Sequence, residues 1–328
     1  MNNKTKVTFS YSEGSLTDIP GITVGHAQDQ EKMTGCSVAI FENGAICGVD
    51  VRGGAPGTRE IDLLRPENAV QQVHAIMLSG GSAYGLNASG GVMQYLEECG
   101  KGYDLDFVKV PIVPAAIIFD LNFGDPKIRP DHHMGYLAAK NASNSPTING
   151  NTGAGTGATI GKICGFDKAM KGGLGTATVS LSNGLIVSAM IVVNAVGEIR
   201  DPLNGKVIAG ACDAAGNLLD IQAEMIESSE SLQTKLANTT IGIICTNAEL
   251  TKAEMTKVAQ MAHDGLARTI YPIHTTSDGD TLFAATVGGV KSTVNIVGLL
   301  AAEVVARAVL RGVCTAESAQ GYKSFNEL

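Results

Sequence analysis

Leu236-Ala237-Asn238-Thr239-Thr240-Ile241-Gly242-Ile243-Ile244-Cys245-Thr246 marks the sharpest change of character in this 328-residue chain. Before it, from about Gly216 to Lys235, the composition is polar, acidic and turn-forming. From Asn238-Thr239 onward it becomes a continuous apolar run that reads as a buried strand. A hydroxyl at the first residue of a core strand, behind a flexible loop, stands next to the carbonyl that precedes it. Attack of Thr239 on the Asn238 carbonyl, an N-to-O acyl shift followed by hydrolysis, would cut the chain and leave Thr239 with a free α-amine. With a pKa of roughly 7.7 to 8.0, that amine can serve as general base for its own residue's hydroxyl. Taken alone, Asn-Thr-Thr also fits a turn leading into a strand.

Around this junction the chain has a globular composition, 44% hydrophobic with 40 glycines, enough for one large domain or two modest ones. A net charge of -8 leaves no basic excess to neutralise phosphates, which argues against a nucleic-acid partner. Met1-Asn2-Asn3-Lys4-Thr5-Lys6-Val7 lacks the apolar core of a signal peptide, and no apolar stretch reaches membrane-spanning length. A cytoplasmic protein without membrane contact is expected. The cysteines (Cys36, Cys47, Cys99, Cys164, Cys212, Cys245 and Cys314) are scattered, mostly among apolar neighbours, with no C-x-x-C pair. That is the usage of reduced core thiols rather than of a disulfide frame or a zinc site.

Short apolar segments broken by glycine predict a strand-rich α/β or α+β structure. Cys36–Phe41 and Ala45–Val51, separated by Glu42-Asn43-Gly44, predict a hairpin. A second hairpin joins Thr176–Leu181 to Leu185–Asn194 through Ser182-Asn183-Gly184. Its last residue, Asn194, either caps its own turn or donates to an oxyanion. Arg52 and Arg59 flank a glycine-rich loop and are candidates for binding a carboxylate. His74–Leu78, then Ser79-Gly80-Gly81-Ser82-Ala83-Tyr84-Gly85-Leu86, then Val92, Met93 and Leu96 at helical spacing, predict strand, tight turn and helix. The nucleophile-elbow pattern G-x-S-x-G fails because Tyr84 occupies the place of its second glycine, so Ser82 reads as structural. Phe107–Leu121 carries Pro111 and Pro114 and suits an edge strand or an extended wall. His132-His133 falls in a predicted loop and lacks the i, i+4 geometry of a helical metal site.

Asn151-Thr152-Gly153-Ala154-Gly155-Thr156-Gly157-Ala158-Thr159-Ile160-Gly161-Lys162 invites a phosphate-binding assignment that its spacing denies. Thr156 stands where the first Walker glycine belongs, Ile163 follows the lysine, and Ala158 replaces the third glycine of a dinucleotide fingerprint. What remains is a glycine-rich backbone that delivers Lys162 to a defined place, as a functional amine or as a solvated one. Asp278 and Asp280 straddle Gly279, so both can face one centre or both can close an Asx turn; further calcium ligands are missing. Thr251-Lys252-Ala253-Glu254 is a capping box opening a helix with Met255, Val258, Ala259, Ala262 and Leu266 on one face. Thr293–Arg311 is a second helix, apolar over most of its surface, suited to burial between layers or at an oligomer interface.

Taken together these residues resemble the self-processing aminopeptidases of the P1 or S58 type, whose members include L-aminopeptidase/D-esterase, β-peptidyl aminopeptidases and the 6-aminohexanoate-oligomer hydrolase. The resemblance runs from Asp18-Ile19-Pro20-Gly21-Ile22 to the final helix. Its matching motifs are Val51-Arg52-Gly53-Gly54-Ala55-Pro56-Gly57, Ser79–Leu86, Gly153–Ala158, Val193-Asn194-Ala195-Val196-Gly197, Asn238-Thr239-Thr240-Ile241 and Asp278–Ala284. It implies an α/β fold, a four-layer αββα sandwich of the N-terminal-nucleophile type. The single catalytic domain would be cut into a large chain, 1–238, and a small chain, 239–328, that stay together.

Carried over position by position, the resemblance makes Thr239 the nucleophile and Asn238 the residue whose carbonyl it attacks. Lys162 would lie against the Thr239 hydroxyl, Asn194 would donate to the oxyanion and Tyr84 would line the substrate pocket. Asp278 and Asp280 would orient the amine and the lysine. The implied activity releases N-terminal amino acids, or β- and ω-amino acids, from small peptides, amides and esters, with no cofactor or metal. The implied assembly is a homo-oligomer, a tetramer. The founding aminopeptidases use Ser after Gly, whereas Thr after Asn is the variant of the oligomer hydrolase. An endo-acting amidase and an acyltransferase of the ornithine acetyltransferase kind therefore stay open as alternatives, and a ligand-binding module using the glycine loop stands as the non-enzymatic one.

Overall fold

The apolar run after Asn238 becomes the middle of a large sheet because residues on both of its faces are apolar and every side chain finds a layer to cover it. The computed structural model describes residues 7–227 and 238–328. In chain order the strands are β1 (Phe9–Ser12), β2 (Ile22–Asp29), β3 (Thr34–Val51), β4 (Thr58–Arg59), β5 (Gln72–Ser79), β6 (Tyr103–Asp104), β7 (Lys109–Val110), β8 (Ala115–Ile117) and β9 (Thr159–Ile160). They continue as β10 (Met170–Lys171), β11 (Gly173–Leu181), β12 (Ile186–Asn194), β13 (Glu198–Arg200), β14 (Val207–Ala209), β15 (Thr239–Ala248), β16 (Ile270–Tyr271) and β17 (Thr281–Val290). The α-helices are α1 (Ala88–Glu98), α2 (His132–Lys140), α3 (Ile221–Glu227), α4 (Lys252–Ala267) and α5 (Val294–Cys314).

The main sheet runs β1-β11-β12-β15-β17-β3-β5-β8-β4, with β2 paired to β3. β15 lies antiparallel to β12 and parallel to β17. Alternation along β15 sends Ile241, Ile243 and Cys245 into one core and Ile244 into another. The first of these cores also holds Met190, Phe283, Ile76, Leu78 and Val24, so the β12-β15-β17 half of the sheet is stacked face to face on the β2-β3-β5 half. The opposite face of the first half is covered by α4 and α5 through Met255, Val258, Leu266, Val304 and Val309. The outer face of the second half is covered by α1 and α2 through Val92, Leu96, Ala138 and Ala139. Three cores between four layers make the αββα sandwich expected of the chain.

β3 joins the two stacked halves, and here the expected hairpin at Glu42-Asn43-Gly44 is corrected. Thr34–Val51 is one continuous strand: its first part pairs with β2 and β5, its last part with β17. The register shifts between Ile40 and Ala45, and Gly44 there adopts φ +75°, a left-handed conformation open to glycine. The turn residues thus bend the strand from one layer into the other instead of reversing it, because both flanks already have partners. His132 and His133 are likewise not in a loop; they open α2, whose N-terminus is capped by the Asp131 carboxylate accepting from Met134 N–H at 2.8 Å. In the polar stretch before the junction, Ile221–Glu227 forms α3, while residues 228–237, which include the end of that stretch, lie outside the described residues.

The hairpin through Asn183-Gly184 forms as predicted, as β11 and β12. The capping box at Thr251 and Glu254 opens α4 with both reciprocal bonds present, and Thr293 caps α5. No helix among the described residues is long and apolar enough to cross a membrane.

Candidate active site

The site is set by the register of two strands. Asn194, the last residue of β12, stands directly opposite Thr239, the first residue of β15. Both are buried, and both strand ends open toward the same loops. Asn194 organises what surrounds it. Its Oδ1 accepts from Thr159 N–H at 3.0 Å and from Lys162 Nζ at 2.8 Å, and its Nδ2 donates to the Phe119 carbonyl at 3.1 Å. Lys162 Nζ also donates to the Asn194 carbonyl at 2.9 Å.

Lys162 is fully buried, as its glycine-rich approach allows. Gly161, at φ +70°, turns the chain immediately before it and passes so close to Gly210 and Ala211 that a Cβ would lie 2.2 Å from the Ala211 nitrogen. Burial pushes the Lys162 amine down to about 7; Asp278, Asp120 and Asp280 pull the other way. A lysine in this state is divided between its two protonation forms near neutral pH, which suits proton transfer.

The opposite wall is the turn ahead of β17. Asp280 Oδ1 accepts from Thr240 N–H at 2.7 Å, while its Oδ2 accepts from the backbone N–H of His274 at 3.1 Å and bonds His274 Nδ1 at 2.8 Å. Asp278 Oδ2 accepts from the N–H and the hydroxyl of Thr275 at 2.7 and 2.6 Å. Burial raises the Asp278 carboxyl, and the neighbouring Asp280 charge raises it further, to about 6. The loop after β3 fastens this turn: Ala55 N–H donates to the Asp278 carbonyl at 2.7 Å and Arg52 N–H to the Asp280 carbonyl at 3.0 Å. Between the walls, the Thr239 hydroxyl donates to the Asn238 carbonyl.

Thr239, Asn238, Lys162, Asn194, Asp278 and Asp280 are therefore brought together. Lys162 meets the strand that Thr239 begins through Asn194 and makes no hydrogen bond to the Thr239 hydroxyl. The two aspartates hold the Thr240 amide and the Thr275 and His274 groups. Tyr84 stands apart: it is 59% exposed, its ring lies 3.8 Å beneath the Arg129 guanidinium, and it bonds none of these residues. Its turn is nevertheless tied to the same segment, since Ser82 N–H donates to Ile118 and Asn194 to Phe119. Arg52 pairs with Asp50 at 2.8 Å and Arg59 donates to the Ser89 hydroxyl at 3.0 Å, so the structure supplies both arginines with internal partners.

Sequence reasoning passed over three residues. His274 binds Asp280 and packs its ring edge-on against buried His263, 4.9 Å between centroids, which in turn bonds the Asp50 carbonyl at 3.1 Å. Asp120, buried and raised by that burial to about 6, accepts from Gly81 N–H and the Thr34 hydroxyl, both at 2.7 Å. Lys171, buried and lowered by that burial to about 7, donates to the carbonyls of Thr156 and Ala158 at 2.9 and 2.7 Å. For Asp120 the available signal was a charge directly after the apolar run Ile117-Ile118-Phe119, since such charges are held only where partners exist; Lys171, three residues after Lys168, carried no such signal. A surface concavity of 620 Å³ near Asn43, Gln72 and Glu249 lies at the far ends of β15 and β17 and includes none of the site residues. Among the described residues no cluster of three or more His, Cys, Asp or Glu side chains could hold a metal ion.

Comparison with known proteins gives the family. The model of Peptidase family S58 matches residues 14–326. An uncharacterized aminopeptidase of Mycobacterium tuberculosis is 41% identical over 345 residues, covering 96% of this chain and 97% of that protein. The 6-aminohexanoate-oligomer endohydrolase of a Kocuria species is 35% identical over 274 residues, covering 82% and 74%. Among solved structures, the L-aminopeptidase D-Ala-esterase/amidase of Ochrobactrum anthropi, described as a variant of the Ntn hydrolase fold, superposes with a TM-score of 0.72 at 17% identity, covering 98% of this chain and 92% of that one. A Burkholderia β-aminopeptidase superposes at 0.68 with 20% identity, covering 96% and 92%. A family match along nearly the whole chain, close aminopeptidase relatives and a shared Ntn hydrolase fold place this chain in peptidase family S58, as a hydrolase of peptide and amide bonds.

Proposed function

We propose that the chain cleaves itself between Asn238 and Thr239 and then works as a threonine aminopeptidase on small peptides, amides and esters. The observation that carries this reading is the pairing of Thr239 with Asn194, whose side chain holds the buried amine of Lys162. In the uncut chain the Thr239 nitrogen is an amide and has no basicity, so the neutral form of Lys162 takes the hydroxyl proton. Once the chain is cut, the Thr239 α-amine stands on the same residue as its hydroxyl and acts as base. Thr239 Oγ attacks the substrate carbonyl, the proton passes to the leaving amine, and water hydrolyses the resulting ester. Asp280, through Thr240 N–H, keeps the start of β15 in place during both stages.

The 35% identity to a 6-aminohexanoate-oligomer endohydrolase, together with threonine following asparagine at the junction, favours a second reading in which the mature site cleaves ω-amino acid oligomers internally. The processed chains would assemble as a homo-oligomer, a tetramer, using the exposed Ile296 and Leu299 of α5, and act in the cytoplasm, in keeping with seven free cysteines.

The test is the intact mass of the purified protein under denaturing conditions beside a Thr239→Ala variant. Two fragments meeting at Asn238 and Thr239 in the wild type, with the variant uncut and inactive on amino-acid and β-amino-acid amides, are expected. A full-length wild type whose amidase activity survives in the variant would refute Thr239 as nucleophile. Comparing α-amino amides with 6-aminohexanoate oligomers separates the two substrate readings.

A further inference from the structure

Self-cleavage builds negative charge on one atom, the Asn238 carbonyl oxygen, and the structure shows what touches it. Gly279 N–H donates to that oxygen at 2.9 Å. The contact belongs to a short parallel bridge between Asn238 and Asp278, in which Asn238 N–H donates to the Ser277 carbonyl at 3.2 Å. Asn194, by contrast, has its Oδ1 filled by Thr159 and Lys162 and aims an Nδ2 hydrogen at Phe119.

We propose that the backbone N–H of Gly279 is the oxyanion donor of the self-cleavage step. Both of its neighbours are anchored: Asp278 by Thr275 and Ala55, Asp280 by Thr240, His274 and Arg52. The donor is therefore held in place before charge develops, in a buried stretch where Asn238, Asp278 and Asp280 are each nearly inaccessible. That is the arrangement in which an oxyanion contact has most effect. The residue must also be glycine. A Cβ at 279 would lie 2.8 Å from the Thr239 hydroxyl oxygen and 2.8 Å from the Ala55 carbonyl oxygen. The glycine between the two aspartates lets the nucleophile and the donor approach from the same side.

The chemistry rests on the proposed role of Thr239. Its hydroxyl proton passes to the neutral Lys162 amine, Oγ bonds to the Asn238 carbonyl carbon, and the carbonyl π pair moves onto the oxygen that Gly279 N–H holds. Collapse expels the Thr239 nitrogen, which takes the proton back from Lys162, and leaves an ester between Asn238 and Thr239 Oγ. Water adds to that ester, charges the same oxygen a second time, and releases the Asn238 carboxylate and the Thr239 hydroxyl. One donor thus serves both halves of processing.

Glycolic acid in place of Gly279, introduced into the full chain by cell-free translation, exchanges this N–H for an ester oxygen and leaves every side chain unchanged. Gly279→Ala keeps the N–H and moves it. Processing is followed by intact mass against time, with thermal unfolding as the check on folding and Thr239→Ala as the control. The ester chain should process about 10²- to 10³-fold more slowly than wild type, and Gly279→Ala at least about tenfold more slowly. A folded ester chain that cuts at the wild-type rate overturns the proposal; should that chain not fold, Gly279→Ala at the wild-type rate overturns it instead. Cleavage in Thr239→Ala would refute the nucleophile itself, a different result from loss of the donor.

Discussion

If neutral Lys162 receives the Thr239 proton in the uncut chain, the pH at which processing begins is set by the burial of that amine. Full burial lowers its pKa from 10.5 to about 7. The deprotonated form is the active one, so the rate must rise with pH and level off above the pKa. With a pKa of about 7, roughly one chain in ten carries the neutral amine at about pH 6 and roughly nine in ten at about pH 8, a climb of about tenfold with a plateau beyond. An ordinary lysine would climb about a hundredfold over the same span and continue upward. The assay is the fraction of uncut chain against time, by intact mass, for protein translated and transferred into buffers spanning about pH 5 to about pH 9. Lys162→Met, similar in length and unable to accept a proton, should slow processing about 10²- to 10⁴-fold at every pH, the usual contribution of a general base. A rate that keeps rising past about pH 9, or a Lys162→Met chain that cuts normally, would refute the argument.

Two other groups make related predictions. The Asp278 charge raises the Lys162 pKa, so Asp278→Asn should move the rising limb of the same profile to lower pH; an unmoved limb, or one displaced upward, would mean that the carboxylate does not act on the amine. His274 holds Asp280 and adopts φ +59°, a conformation that glycine and asparagine tolerate. His274→Gly should slow processing about ten- to hundredfold, the effect of losing a hydrogen bond to a charged group, and His274→Asn should recover most of it. Equal rates in the two variants would show that the histidine only fills space.

Much of this molecule could be read locally. The Asn183-Gly184 turn, the capping box at Thr251 and Glu254, and the apolar stripe Met255, Val258, Ala259, Ala262 and Leu266 each specify their element through neighbours a few residues away. The same holds for the junction at Thr239, where polarity gives way to a strand. Reading failed where a local signal was overruled from a distance. Glu42-Asn43-Gly44 has hairpin chemistry, but β2, β5 and β17 already occupy the edges that a hairpin would need, so the segment bends and runs on. His132-His133 looks like a loop until Asp131 is seen to cap the helix they begin.

The sequence by itself singled out the residues proposed here to carry chemistry: a threonine at the head of a core strand, a lysine delivered by glycines, an asparagine at a strand end and an Asp-Gly-Asp turn. Only the tertiary structure decided what each one does to the others. Thr239 faces Asn194 because of the β12–β15 register, Lys162 has a low pKa because the fold buries it fully, and the Asn238 carbonyl is gripped because β17 begins beside β15. Registers, burial and contacts between segments far apart in the chain arise from packing of the whole. A pattern of neighbouring residues states what is available to react, and the fold sets the distances at which it can.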